Sequence, residues 1–173
     1  MSDDDLKKLI RDIPDFPVKG IIFKDITPLL QDAAALKRTC DTIADRFAGK
    51  GITAVCGMEA RGFIFGAVIA YRLGVGFIPL RKPGKLPYDT KTISYQLEYG
   101  TATLEIHKDG VAHGDRILMV DDVLATGGTM AASCKLIESL GAHVAACAFV
   151  IELGFLKGRE KLAGYEVSAL IKY

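Results

Sequence analysis

The sequence has almost no net charge and no long apolar run. Its 22 basic and 21 acidic residues leave +1 over 173 residues. No global basic field therefore recruits nucleic acid or an anionic membrane, and any anion must be held by a local site. Nothing approaches a membrane span, and the acidic start Ser2-Asp3-Asp4-Asp5 is the opposite of a secretory leader. Cys40, Cys56, Cys134 and Cys147 form no CxxC pair and have no histidine at zinc spacing. Each sits in an apolar stretch, the setting of a reduced thiol in a cytoplasmic protein. His107, His113 and His143 are scattered and receive no role. Repeats, low-complexity tracts, linkers, a Gly-Lys-Ser/Thr P-loop and a Gly-x-Gly-x-x-Gly turn are all missing.

What is present is ordinary globular composition, 50% apolar and 25% charged, at a length that favours one domain over residues 1–173. Leu6, Leu9, Ile10 and Ile13 predict a short helix ended by Pro14 and Pro17. Gly20 to Ile26 reads as an exposed segment, with a turn at Thr27-Pro28. Asp32 is placed to cap a helix carrying Leu36, Cys40, Ile43, Ala44 and Phe47 at helical spacing. Strands and helices then alternate. Strands are expected at 52–56, 77–80, 117–120, 144–151 and 166–171. Helices are expected at 62–73, closed by Gly74, and at 129–140, with a helical turn at 157–162. Residues 82–92 read as a long loop beside a hairpin of 93–97 and 102–106. This alternation predicts an α/β fold with a mainly parallel sheet and helices on both faces, and ligands then bind beyond the carboxyl ends of the strands.

One segment there carries chemistry. Val120-Asp121-Asp122-Val123-Leu124-Ala125-Thr126-Gly127-Gly128-Thr129 leaves a buried strand, offers two carboxylates and enters a helix through small residues. Small residues let backbone N–H groups approach an anion, and the helix start adds its dipole. Thr126 and Thr129 add hydroxyl donors. Adjacent acids on an extended strand point to opposite sides, so Asp121 and Asp122 reach one sugar together only where the strand turns. They are also candidates for Mg²⁺, directly or through water.

This segment closely resembles the phosphoribosyl pyrophosphate signature of type I phosphoribosyltransferases. Phe16-Pro17 with Gly20 to Pro28, Glu59 to Gly66, Arg81 to Pro87, and Leu97-Glu98-Tyr99-Gly100 resemble blocks of adenine phosphoribosyltransferases, in the same order. Leu156 to Glu160 matches more weakly. The resemblance implies a twisted parallel sheet with a small base-binding hood within residues 1–30 and a flexible catalytic loop at 82–98. It implies transfer of ribose 5-phosphate from phosphoribosyl pyrophosphate to adenine, giving AMP and pyrophosphate in purine salvage, with Mg²⁺ entering through the substrate.

Residue by residue, the resemblance implies that Ala125, Thr126, Gly127, Gly128 and Thr129 hold the 5-phosphate, and Asp121 and Asp122 the ribose hydroxyls. Arg61 binds pyrophosphate, helped by the backbone of Glu59, Ala60 and Gly62; a guanidinium fork suits phosphate oxygens independently. Arg81, Lys82 and Lys85 act on pyrophosphate, one of them in a neighbouring subunit's site. Ile22, Phe23, Lys24 and Leu156 surround the base, Glu98 manages the purine proton and Tyr99 covers the site. The apolar helix from Phe63 to Leu73 fits a homodimer interface and equally a core helix. Two rivals remain: a 6-oxopurine or orotate enzyme, since lysine at position 24 can face a 6-oxo group, and a ligand-sensing regulator of nucleic acid. The regulator would need a basic surface or an added DNA-binding unit, which the +1 charge and the lack of a spare amino-terminal domain disfavour.

Overall fold

In the computed structural model, which describes residues 3–96 and 101–173, the chain opens with α1 (Asp3–Lys7), β1 (Arg11–Pro14), β2 (Ile22–Asp25), α2 (Thr27–Gln31) and α3 (Ala33–Phe47). Then come β3 (Ala54–Met58), α4 (Arg61–Leu73), β4 (Gly76–Leu80), β5 (Thr90–Gln96) and β6 (Thr101–His107). The last part holds β7 (Arg116–Leu124), α5 (Gly128–Glu138), β8 (His143–Glu152), two short 3-10 turns (Gly154–Leu156 and Gly158–Leu162) and β9 (Val167–Lys172).

Five strands pair in parallel in the order β4-β3-β7-β8-β9. Strand periodicity divides the core between two faces. Leu118 and Val120 of β7 pack with Ile43, Phe47, Phe65 and Ile69 of α3 and α4. Ile117 and Met119 pack with Met130, Cys134 and Ile137 of α5. All four cysteines are buried free thiols, as their apolar settings predict. The expected α/β architecture with helices on both faces is what forms. From β3 the chain moves outward to β4, whereas from β7 it moves the opposite way to β8 and β9. That reversal opens a crevice between the ends of β3 and β7.

Several boundaries differ from expectation for local reasons. The first helix stops at Lys7, and Ile13 lies in a strand, because a residue before proline is driven out of helical geometry. Gly20 to Ile26 is not a bare exposed segment: Ile22–Asp25 pairs antiparallel with β1, making a separate two-stranded sheet. Thr27-Pro28 starts a helix, since proline suits the first helical turn. The cap at Asp32 forms as expected, accepting from Ala35 N–H at 2.8 Å. Strand β7 runs four residues past Val120, so Asp121 and Asp122 lie within a strand. The hairpin begins at Thr90 and shortens the irregular loop to residues 82–89.

Candidate active site

The crevice is built by the two connections that leave β3 and β7. After Met58 the chain passes Glu59 and Ala60, joined by a cis peptide, and enters α4 at Arg61. Gly62 lies against β7: a Cβ there would stand 2.9 Å from the Val120 carbonyl oxygen and 3.0 Å from Asp121 Oδ1. Any side chain at 62 would push the loop off the strand that carries both acids. Strand β3 pairs with β7 only as far as Val120. Beyond that point Asp121 and Asp122 face the crevice without a neighbour on that side.

A cavity of about 420 Å³ collects Glu59, Ala60, Arg61, Lys82, Asp121, Asp122 and Thr129. A smaller one of about 80 Å³ shares Asp121 and Thr129 with it and is also lined by Ala125, Thr126, Gly127 and Gly128. Gly127 has φ +76°, the left-handed turn that starts α5. A Cβ on it would lie 2.3 Å from the Gly158 carbonyl oxygen, and one on Gly158 would lie 2.2 Å from that of Ala125. The turn is thus pressed against the second 3-10 turn, backbone on backbone.

Charge in the crevice is mixed. Arg61 Nε approaches Asp122 Oδ2 to 2.5 Å, but without hydrogen-bond alignment, so this buried oxygen has no hydrogen-bond donor. Asp122 N–H donates to Asp121 Oδ1 at 2.9 Å. Asp121 as a residue is half-buried, yet its carboxyl is enclosed. That burial, and next the Asp122 carboxylate, push it well above the usual carboxylate range. Two acids this close favour a cation or hydroxyl donors from a ligand.

Ile22, Lys24 and Leu156 line a third, largely apolar cavity of about 290 Å³. Phe23, between Ile22 and Lys24 on β2, has its ring centre 5.1 Å from the Arg61 guanidinium. The Lys24 ammonium is committed elsewhere: it meets Asp12 Oδ1 at 2.6 Å and lies 3.9 Å from the centre of the Tyr173 ring.

Among the described residues, the expected Phe23, Gly62, Arg81 and Lys85 do not line these cavities. Arg81 pairs through Nε with Glu59 Oε2 at 2.7 Å and donates to the Lys85 carbonyl at 3.1 Å; the Lys85 side chain stays outside. Glu98 and Tyr99 lie outside the described residues. Tyr95 was not anticipated. Its hydroxyl donates to Thr129 Oγ1 at 3.1 Å and it lines the crevice. An aromatic residue in an alternating strand reads as core packing, so nothing local marks it.

A profile of the phosphoribosyl transferase domain matches residues 25–168. Adenine phosphoribosyltransferase of Methylococcus capsulatus is 64% identical over 98% of this chain and 99% of its own. The chain belongs to the adenine phosphoribosyltransferase family. The crystal structure of the family member from Thermoanaerobacter pseudethanolicus superposes with a TM-score of 0.97 at 55% identity, over 99% of this chain and all of that one. The Saccharomyces cerevisiae adenine phosphoribosyltransferase, solved with an imino-altritol bisphosphate and adenine, gives 0.91 at 38% identity over 97% of each chain. The type I phosphoribosyltransferase fold and the enzyme class expected from the sequence therefore hold.

Proposed function

We propose that the protein transfers the 5-phosphoribosyl group of phosphoribosyl pyrophosphate to adenine, releasing pyrophosphate and AMP, as a purine salvage enzyme in the cytoplasm. The observation that carries this reading is the crevice where Arg61, Asp121 and Asp122 meet the turn Ala125 to Thr129, with the Phe23 ring of the hood 5.1 Å from the Arg61 guanidinium. Backbone amides of Ala125 to Thr129 hold the 5-phosphate at the start of α5. Asp121 and Asp122 accept from the ribose hydroxyls. Arg61, with the backbone of Glu59 to Gly62, donates to the pyrophosphate, and Lys82, Arg81 and Lys85 add positive charge as it leaves. Charge builds on the ribose ring as the bond to pyrophosphate breaks, and a ring nitrogen of adenine attacks the anomeric carbon. Glu98 manages the proton, and Tyr99 and the segment 82–98 close over the pair, excluding water.

Mg²⁺ fits this donor set. Among the described residues no group of three or more acidic, histidine or cysteine side chains stands together, so a full protein cage is not built. Mg²⁺ usually takes one or two carboxylates and completes its shell with phosphate oxygens and water. Asp121 and Asp122, with Asp122 Oδ2 lacking a donor, suit an ion that enters with the substrate. When bound it neutralises charge on the departing pyrophosphate.

Adenine is favoured over a 6-oxopurine by the hood. Residues two apart on β2 direct their backbone groups the same way, so the Ile22 C=O and Lys24 N–H can meet the 6-amino group and N1 of adenine. Hypoxanthine offers the reverse pair. The Lys24 side chain, held by Asp12, is not free to serve a 6-oxo group. We also assign a homodimer. Phe65, Ile69 and Ala70 of α4 are core, but Ile64, Ala67, Val68 and Tyr71 form an exposed stripe at helical spacing, Tyr71 being 86% exposed.

A screen of adenine, hypoxanthine, xanthine, guanine and orotate with phosphoribosyl pyrophosphate and Mg²⁺ tests the reading, with Asp122→Asn as control. AMP should form fastest and the control should turn over slowly. Equal use of hypoxanthine, or native turnover by Asp122→Asn, overturns it.

A further inference from the structure

We infer that Tyr173 is a positioning residue for the base: its side chain and its main-chain N–H and oxygen hold both walls of the base cavity in place. This rests on the assignment of that cavity to adenine. The first wall is the hood. Lys24 on β2 and Lys7 on α1 both lay their ammonium groups on the Tyr173 ring, 3.9 Å and 4.4 Å from its centre. Lys24 is only 11% exposed in its side chain. A cation held over a ring away from water gains more than one on the surface. Burial, and then the Asp12 charge, raise the Tyr173 phenol above its ordinary value, so the ring stays neutral. Lys7 also donates to the Lys172 carbonyl at 3.0 Å. The ring therefore fixes the strand whose backbone edge meets the purine.

The second wall is the first 3-10 turn, which carries Leu156. Tyr173 N–H donates to the Glu152 carbonyl at 3.0 Å, and its own main-chain oxygen accepts from Gly154 N–H at 2.9 Å. These two bonds extend the pairing of β8 and β9 by one step and set where the turn leaves the sheet. A Cβ on Gly154 would stand 3.2 Å from that same Tyr173 oxygen, which shows how closely the two segments run. Tyr173 itself lines the cavity beside Ile22, Lys24 and Leu156. It lines neither the crevice nor the phosphate turn. Its influence should thus be confined to the base.

Steady-state kinetics of full-length Tyr173→Ala, Tyr173→Leu and Tyr173→Phe test this. Both Ala and Leu should raise the KM for adenine about tenfold, the scale of losing two cation–ring contacts. The KM for phosphoribosyl pyrophosphate should stay within about twofold of wild type. Phe, which keeps the ring and the backbone, should restore the native adenine KM. Leu fills the space without a π face, so it still tests the idea if Ala fails to fold. An unchanged adenine KM in both, an equal rise in both KM values, or a Phe variant that behaves like Ala would overturn the inference. Wild-type enzyme that does not use adenine would instead sink the reading beneath it.

Discussion

Gly158 makes a sharp test of how the phosphate turn is held. A methyl added there would sit 2.2 Å from the Ala125 carbonyl oxygen and 3.1 Å from the Gly127 nitrogen. Heavy atoms pack at roughly 3.5 Å, so one segment must retreat by roughly 1 Å. Neither partner is a flexible side chain. Both are backbone of a turn locked by Gly127 at φ +76°, and the segment of Gly158 is fixed by the bonds of Arg159 to Glu152. Overpacking of this kind costs about 1–3 kcal/mol, which for a chain of this size lowers the Tm by roughly 2–10 °C.

The larger effect should be functional, because the amides of the turn are aimed at one phosphate. A displacement of about 1 Å in a positioning element can cost on the order of 10² in rate. Gly158→Ala should therefore lose about 10² in kcat/KM for phosphoribosyl pyrophosphate while remaining folded. Gly76→Ala is the control, since a Cβ there meets nothing within 4 Å. Coupled assay of AMP formation and a thermal melt, both at fixed Mg²⁺, read the two quantities. Native kcat/KM in Gly158→Ala would refute the claim that this contact sets the turn.

Two further outcomes follow from the same geometry. Arg159 holds Glu152 bidentately, at 2.6 and 2.7 Å, and these bonds hold the Glu152 carboxyl below the ordinary carboxylate range. A depressed folded value means that the stabilisation is present at neutral pH and disappears as pH falls through it. Glu152→Gln should thus cost about 1–3 kcal/mol at pH 7, with the gap to wild type closing progressively below about pH 4 in denaturant titrations; a gap independent of pH would count against the pair. If Arg81 serves a neighbouring subunit, a refolded equal mixture of Asp122→Asn and Arg81→Ala should recover about a quarter of wild-type activity, one intact site in half the dimers. A dimer that shows no recovery confines Arg81 to its own chain, where it now meets Glu59.

The sheet and the phosphate turn were legible in the sequence because their signals are local. Val120 to Thr129 holds its strand, acids and glycines in consecutive positions, a β-rich run announced β3, and wholly apolar runs announced β7 and β8. The hood was less legible. Ile13 and Leu6 share a helical spacing, yet Ile13 pairs across to Phe23 in the other strand, a choice made by Pro14 and by a partner ten residues away. Tyr95 and Tyr173 were silent, and Gly158 stood only inside the weakly matching block 156–160, for a related reason. Tyr95 meets Thr129 across 34 positions, Gly158 meets Ala125, and Tyr173 meets Lys7 and Lys24. Each lies in a segment whose own pattern is satisfied by packing, so the residue carries no local anomaly. Its role arises only when the sheet brings distant connections to one edge. A parallel sheet with a switch point does this by construction, because successive loops emerge at the same carboxyl ends. The groups that touch phosphate and ribose can then be encoded in short motifs, while the groups that hold those motifs at the right separation are scattered along the chain.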